Sequence, residues 1–319
     1  MNVRTTRLTT ISAVACMVSL PGALFAQGKP AEHSLHLKPN AEWKLSAMDD
    51  RCRMSRTFGS GEDRTTLWID KGGPGPAVNL TFIGAPLRSP FGPYLEVGFL
   101  PGKMIERNYI VSTSSKGRPV IALFGVEPVP LRPPPDPVSL EDSIAEEETV
   151  DLSEGALSLP IDAVTHAQQL AEIDTLHLSR ALREPLSLGL EDFAPTMAEL
   201  MRCTEELTER LANNTRQSKD ADTGVAPKEQ AQWARKIQAN YPYQLLREGQ
   251  EATVGVRLTV NAKGRASFCE VTAFSGPASF NDTACLQLLR HARFAPATNA
   301  AGEAVPAFFT TRIIYAIKR

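Results

Sequence analysis

The strongest constraint on this chain is an alternation of apolar and polar residues between residues 253 and 260. Valine or leucine occupies every second position from Val254 to Val260, which is the period of a strand with one buried face. Gly264 follows in a turn sequence, where it is free to take a positive φ. A second run, Ala266–Ala273, slips by one residue at Ser267–Phe268, as it would at a β-bulge. These residues predict an antiparallel hairpin.

Three further patterns surround the hairpin. A helical pattern covers Pro227–Ala239 and is followed by a Tyr241–Pro242 break. Apolar residues recur at helical spacing from Phe280 to Ala292, and an alternating run, Phe309–Ile317, is typical of a last strand. Residues 227–319 are therefore predicted to form a small α+β unit.

This order of motifs resembles the C-terminal domain of TonB proteins, over roughly a quarter to a third of the chain. Two positions depart from the family pattern, Ala252 and Phe274, and both lie at predicted strand ends. The resemblance implies a three-stranded antiparallel sheet with two helices. The motifs that carry it are Tyr241–Pro242, Gly249, the valine-rich strand, Gly264, Ser275–Gly276, Phe280–Ala284, Arg293–Ala297, Gly302 and the aliphatic last strand.

The resemblance also implies a binding mode. In the family the last strand accepts an extended segment of an outer-membrane transporter, which adds a strand to the sheet edge. The candidate partner-binding residues are Gln238, which matches the family's receptor-contacting segment, together with Tyr241, Val305, Ala307, Phe309, Thr311 and Ile313. The implied partner is an envelope or outer-membrane protein of the TonB-dependent receptor type. The alternative is that strand and segment only complete the core or a homodimer.

The N-terminus is predicted to be a secretory signal peptide over residues 1–26. Arg4 and Arg7 precede an apolar run, Ile11–Phe25, and Ala26 stands at the predicted cleavage site. The run is too short and too broken for a convincing membrane span, which needs ~20 apolar residues. We therefore expect a periplasmic protein. An uncleaved inner-membrane anchor, lipid attachment at Cys16 and an erroneous targeting interpretation are the alternatives.

Residues 41–212 are predicted to form a β-rich domain of sandwich or barrel type, closed by a long helix over residues 194–212. Within it, residues 128–155 combine a proline-rich stretch with an acidic run, and we interpret them as a surface excursion rather than a rigid spacer. Residues 27–40 are expected to be a flexible mature terminus, and residues 213–226 an interdomain linker. The fold class is therefore α+β.

Four cysteines remain after the predicted cleavage: Cys52, Cys203, Cys269 and Cys285. An even number in an exported chain favours disulfides. The resemblance places the helix that carries Cys285 over the sheet that carries Cys269, which implies that these two are bonded and leaves Cys52 for Cys203. The alternative is that all four are reduced and buried.

The sequence contains no nucleophile, metal-protease or phosphate-loop motif, so we expect neither an enzyme nor a cofactor or metal site. Between residues 227 and 319 there are 12 lysines and arginines against 6 acidic residues, spread over turns and helices, which does not indicate nucleic-acid binding. Two functions compete. The first is a periplasmic TonB-like interaction module, linked to TonB-type energy transduction and transport. The second is an exported enzyme with its active site in the β-rich domain and the C-terminal domain as a docking adaptor.

Overall fold

The computed structural model describes residues 34–129, 163–218, 224–277 and 279–317. The predicted signal peptide lies outside these ranges, as do nearly all of the proline-rich and acidic excursion and the middle of the predicted linker. The described part is mixed α+β, with one large curled sheet, one three-stranded sheet and two small two-stranded sheets. None of its helices is both long and apolar enough to cross a membrane.

Ten short strands form the large sheet, in the order β1-β10-β9-β6-β7-β8-β5-β4-β3-β2. Its strands are β1 (Leu35–Leu37), β2 (Lys44–Ala47), β3 (Cys52–Phe58), β4 (Thr65–Lys71), β5 (Val78–Gly84), β6 (Tyr94–Leu100), β7 (Ile105–Thr113), β8 (Pro119–Val126), β9 (Thr175–Ser179) and β10 (Leu186–Gly189). Two 3-10 helices, Gly61–Asp63 and Ala85–Leu87, lie in its loops, and helix α1 (Ala163–Glu172) precedes β9.

The sheet curls back on itself through the segment that joins β1 to β2. Strand β1 pairs in parallel with β10. A few residues later the same segment pairs with the end of β3, where the Asn40 N–H donates to Thr57 O at 3.0 Å and the Gly59 N–H donates to Lys38 O at 2.9 Å. Residues 35–40, within the stretch expected to be a flexible mature terminus, thus pair with strands of the large sheet. The three residues of β1 are too few for an alternation to indicate a strand.

Apolar side chains fill the inside of the curled sheet. Alternate residues of its strands point inward, and Leu67, Leu80, Phe82 and Ile121 are fully buried. The β-rich character predicted for this region is confirmed. The second hairpin, β9–β10, pairs in antiparallel with Leu186 opposite Leu178.

Helix α2 (Phe193–Gln217) follows β10, includes the helix predicted over residues 194–212, and buries an apolar stripe that includes Met197, Leu200 and Leu207. It continues past residue 212, so the linker predicted over residues 213–226 begins inside the helix. Its last turns contact the C-terminal unit, because the Asn214 side chain donates to Pro306 O at 2.7 Å and the Phe308 N–H donates to Thr215 Oγ1 at 2.9 Å. The expectation that this helix closes the β-rich domain is not supported, since both sheets share it.

The C-terminal unit contains the second sheet, in the order β13-β12-β17. Its elements are β11 (Ala226–Lys228), α3 (Gln230–Ala239), α4 (Tyr243–Arg247), β12 (Ala252–Val260), β13 (Ala266–Ser275), α5 (Ser279–His291), β14 (Arg293–Ala295), β15 (Ala297–Thr298), β16 (Ala304–Val305) and β17 (Ala307–Tyr315). The register of β12 and β13 skips Ser267, which confirms the predicted bulge. The helix predicted from Pro227 begins later, at Gln230, because β11 first pairs with β14.

Both predicted disulfides are present. Cys52 on β3 is bonded to Cys203 on α2, with a Cα–Cα distance of 6.1 Å. Cys269 on β13 is bonded to Cys285 on α5, with a Cα–Cα distance of 5.6 Å. Each bond ties a helix to the sheet on which it packs.

Candidate functional site

The outer edge of β17 is the candidate partner-binding site. Strand β17 pairs along its whole length with β12, from Ala307 opposite Val260 to Tyr315 opposite Ala252. In the described ranges no strand pairs with its other side. A sheet edge of this kind presents main-chain donors and acceptors to an incoming strand.

The direction of each main-chain group on β17 follows from two contacts. The Phe308 N–H points away from β12 to Thr215 Oγ1, and Ile314 O points away from β12 to the Gln238 side chain. Successive residues of an antiparallel strand direct their main-chain groups to opposite sides. The N–H and C=O groups of Thr310 and Arg312 therefore also face outward, and no described group hydrogen-bonds to them there.

Both ends of this edge are covered by the protein itself. At the start of β17, Asn214 and Thr215 of helix α2 bind the main chain around Phe308. At the other end, Gln238 Nε2 donates to Ile314 O at 2.6 Å. The open part of the edge is therefore short and centres on Thr310 and Arg312.

The predicted contact residues of β17 face the core of the C-terminal unit. Ala307 and Ile313 are buried, and Phe309 is half-buried with its ring centroid 5.0 Å from that of Phe294. Thr311 lies on the same face and is partly exposed. Their main-chain groups pair with β12, so they hold the edge strand in place. Val305 lies outside β17, in β16, where it pairs with Ala297.

The exposed side chains of the edge are those of Thr310, Arg312 and Ile314, which sequence reasoning did not single out. Ile314 has 58% of its surface exposed, although it lies in a strand. The alternation of the last strand could have identified them. The residues that lie between its apolar positions carry both the exposed side chains and the main-chain groups that point away from β12.

Gln238 and Tyr241 lie near the end of the edge. Gln238 is exposed at the end of α3, and its amide caps the strand. The Tyr241 hydroxyl donates to Gln250 O, and its ring stands edge-on to Tyr315 with centroids 5.4 Å apart. Burial raises the pKa of Tyr241, and the negative charge of Glu251 raises it further. Tyr241 is therefore a neutral packing residue beneath the strand.

The three-stranded sheet and its helix α5 are also in contact with the curled sheet. Thr259 Oγ1 donates to Gly72 O at 2.6 Å on the face turned away from the helices. Arg107 of β7 forms a 2.9 Å ion pair with Asp282 of α5. Phe124 of β8 packs against the apolar core of the C-terminal unit. Burial raises the pKa of Asp282, and the Arg107 guanidinium opposes this. These contacts attach the C-terminal unit to the curled sheet through β12 and α5.

Within the described part of the chain, no three His, Cys, Asp or Glu side chains are grouped so that they could hold a metal ion. Arg53 of the curled sheet is paired with Asp70 at 2.5 Å, whereas the buried Arg56 and Lys71 donate to main-chain carbonyls. Arg53 also lies over the Trp68 ring, 4.0 Å from its centroid. Such pairs favour a structural role for these charges.

Residues 237–317 match the family model described as Gram-negative bacterial TonB protein C-terminal. The matched stretch includes Gln238, the hairpin, α5 and all of β17, so the resemblance predicted for this region is confirmed. The match covers about a quarter of the chain, and the family is that of a Gram-negative envelope protein. Among curated proteins, none matches this chain.

Proposed function

We propose that this protein is a periplasmic TonB-like module that binds an extended segment of an envelope or outer-membrane partner along β17, and that it serves TonB-type energy transduction and transport. The observation that supports this most directly is the outward-facing main chain of Thr310 and Arg312. Their N–H and C=O groups have no hydrogen-bond partner among the described residues, although they lie in a regular strand. An added strand satisfies such groups directly.

The open edge is short, so the main chain alone supplies a modest affinity. Two residues offer two N–H and two C=O groups, and each net hydrogen bond contributes about 0.5–1.5 kcal/mol. Association itself costs at least ~4 kcal/mol. Side-chain contacts must therefore contribute to binding, and Arg312 and Ile314 are the exposed side chains available beside the edge.

These two side chains suggest the chemistry of the partner segment. Arg312 and Ile314 are two residues apart and so lie on the same face of the sheet. A complementary segment would place a carboxylate beside Arg312 and an apolar side chain beside Ile314, again two residues apart. We expect Gln238 to turn its amide from Ile314 O to the main chain of the incoming segment, at the end of the edge.

The proposal is of a binding protein and not of an enzyme. It is supported by the interior of the curled sheet, where Leu67, Phe82 and Ile121 are fully buried in one apolar core. A homodimer through two β17 edges is the alternative use of the same main-chain groups. The two uses differ in the mass of the complex, which analytical ultracentrifugation of the purified protein measures.

Arg312 offers a direct test of strand addition. The Arg312 N–H faces outward, so Arg312→Pro removes an outer donor and leaves the pairing with β12 intact. Arg312→Ala removes the side chain and keeps the donor. We expect Arg312→Pro to weaken the capture of outer-membrane proteins from an envelope extract at least fivefold relative to Arg312→Ala, with the same melting temperature. Equal capture by the two variants would rule out strand addition at this edge.

A further inference from the structure

A second candidate site lies at the end of the curled sheet that is remote from the C-terminal unit. Three loops meet there, because Thr65 of β4 pairs with Gly84 of β5, and Ile83 of β5 pairs with Val120 of β8. The loops are the β3–β4 connection, the segment after β5 and the β7–β8 turn. They surround a surface cavity of about 420 Å³. Small-molecule sites have volumes of roughly 300–1,000 Å³.

Three arginines line this cavity, one from each loop. Arg64 follows the 3-10 helix of the first loop, Arg88 follows that of the second, and Arg118 ends the β7–β8 turn. Glu62 is the one acidic residue in the lining. We call this group of three arginines the arginine cleft. Its charge is positive even when Glu62 is included.

The guanidinium groups of the arginine cleft are unpaired. In the part of the chain that the structure describes, none of the three forms an ion pair or a side-chain hydrogen bond, not even with Glu62. Five other arginines are each paired with a carboxylate: Arg51 with Asp50, Arg53 with Asp70, Arg107 with Asp282, Arg180 with Glu106 and Arg257 with Glu270. Three like charges around one concave surface repel each other, and a bound anion relieves this repulsion.

We propose that the arginine cleft binds a phosphate group. Guanidinium is planar and donates in a fork that matches phosphate oxygens. A tetrahedral phosphate accepts hydrogen bonds from several directions at once, whereas a planar carboxylate is satisfied by one or two guanidinium groups. Three arginines that approach from separate loops therefore fit a phosphate group better than a carboxylate. The phosphate is either part of an anionic lipid headgroup or a free phosphate compound.

The arginine cleft and the β17 edge are at different ends of the molecule. Strand β4 leads from the cleft at Thr65 to Lys71, next to the Gly72 carbonyl that binds Thr259 of the C-terminal sheet. At ~3.3 Å per residue, its seven residues span about 20 Å. Phosphate binding therefore leaves the β17 edge open, and the two sites can be tested separately.

The test uses the full-length chain, two sets of ligands and two triple variants. Arg64→Gln, Arg88→Gln and Arg118→Gln together remove the cleft charges. Arg183→Gln, Arg202→Gln and Arg235→Gln remove the same charge from exposed arginines elsewhere and serve as the matched control. Calorimetric titration with inorganic phosphate and pyrophosphate is compared with co-sedimentation on phosphatidylcholine vesicles with and without phosphatidylglycerol, at constant ionic strength.

We expect wild type and the control to bind, and the cleft variant to bind at least tenfold more weakly, with the same melting temperature. Binding to phosphatidylglycerol vesicles alone identifies a lipid headgroup, and binding of pyrophosphate or phosphate in solution identifies a free phosphate compound. The proposal is overturned if wild type binds neither, or if the cleft variant and the control lose affinity equally.

Discussion

The side-chain amide of Gln238 donates a 2.6 Å hydrogen bond to the main-chain carbonyl of Ile314, on the outer side of the edge strand. The family resemblance implies that Gln238 contacts the partner. In this structure Gln238 is bound to the edge of β17 at which the partner is proposed to bind. An incoming segment that reaches Ile314 meets this amide first.

Removing the Gln238 amide tests its role. We expect Gln238→Ala to weaken partner binding about fivefold, because one hydrogen bond to the incoming main chain is worth about 1 kcal/mol. Gln232→Ala, at an exposed position near the start of the same helix, is the control and should bind like wild type. Captured outer-membrane protein, quantified by titration, gives the comparison. Stronger binding by Gln238→Ala would show that the amide blocks the edge instead of serving it.

The two disulfides should differ in how much they stabilise the protein. Cys269 and Cys285 are 16 residues apart, and Cys52 and Cys203 are 151 residues apart. In the chain-entropy model, loops of these lengths correspond to about 3 and about 5 kcal/mol. We expect the Cys52→Ala/Cys203→Ala variant to unfold at lower urea concentration than Cys269→Ala/Cys285→Ala. The reverse order would show that local packing dominates over loop length.

Lys71 should make the stability of the protein depend on alkaline pH. Burial lowers the pKa of Lys71 to about 8, although the nearby Glu270 carboxylate opposes this. The same side chain has its ordinary pKa of about 10.5 in the unfolded chain, so between these values the unfolded state binds more protons. Stability from this group therefore rises with pH from about 8 to about 10.5, by about 3 kcal/mol in total.

The variants Lys71→Met and Lys263→Met isolate this effect. Lys71→Met lacks the titrating group, and the exposed Lys263 provides the control. We expect the unfolding free energy of wild type to rise relative to that of Lys71→Met across this pH range, and to stay parallel to that of Lys263→Met. Chemical denaturation at half-unit pH steps measures both differences. A constant difference between wild type and Lys71→Met would contradict the shifted pKa.

Gly264 should tolerate substitution less well than Gly302. Both have a positive φ, +70° and +79°, so alanine is strained at either position by roughly 1–2 kcal/mol. A Cβ at Gly264 would also overlap the carbonyl oxygen of Phe294, whereas nothing lies within 4 Å of one at Gly302. We expect Gly302→Ala to lose only the strain energy and Gly264→Ala to lose roughly 3 kcal/mol or more. Similar melting temperatures for the two variants would contradict this.

Local patterns predicted the hairpin, its turn and its bulge, because alternation and turn residues are determined over a few positions. The glycine expected to take a positive φ, Gly264, does so, and the slip at Ser267 is a register shift. The long helix predicted over residues 194–212 is likewise a local feature, because apolar residues recur along it at helical spacing. The end of α2 could not be predicted from its local sequence, since Asn214 and Thr215 are held by contacts with Pro306 and Phe308.

Other features depend on contacts between distant residues. Thr259 and Gly72 are 187 positions apart, and nothing in either local sequence indicates that they are bonded. The length of the open part of the β17 edge also depends on contacts between residues that are distant in the sequence. Alternation tells which side chains of β17 are apolar, but the position at which α2 and Gln238 cover its ends follows only from the tertiary structure.

Helix α2 also determines how this protein would carry a mechanical load. A partner segment pulled along β17 would place the edge in shear, across all the rungs of the β12–β17 ladder at once. Part of that tension would pass through Asn214 and Thr215 into the helix, and from Cys203 through a covalent bond to Cys52 in the large sheet. Reduction of this one bond would leave the main chain between β10 and the start of α2 as the direct covalent link between helix and sheet.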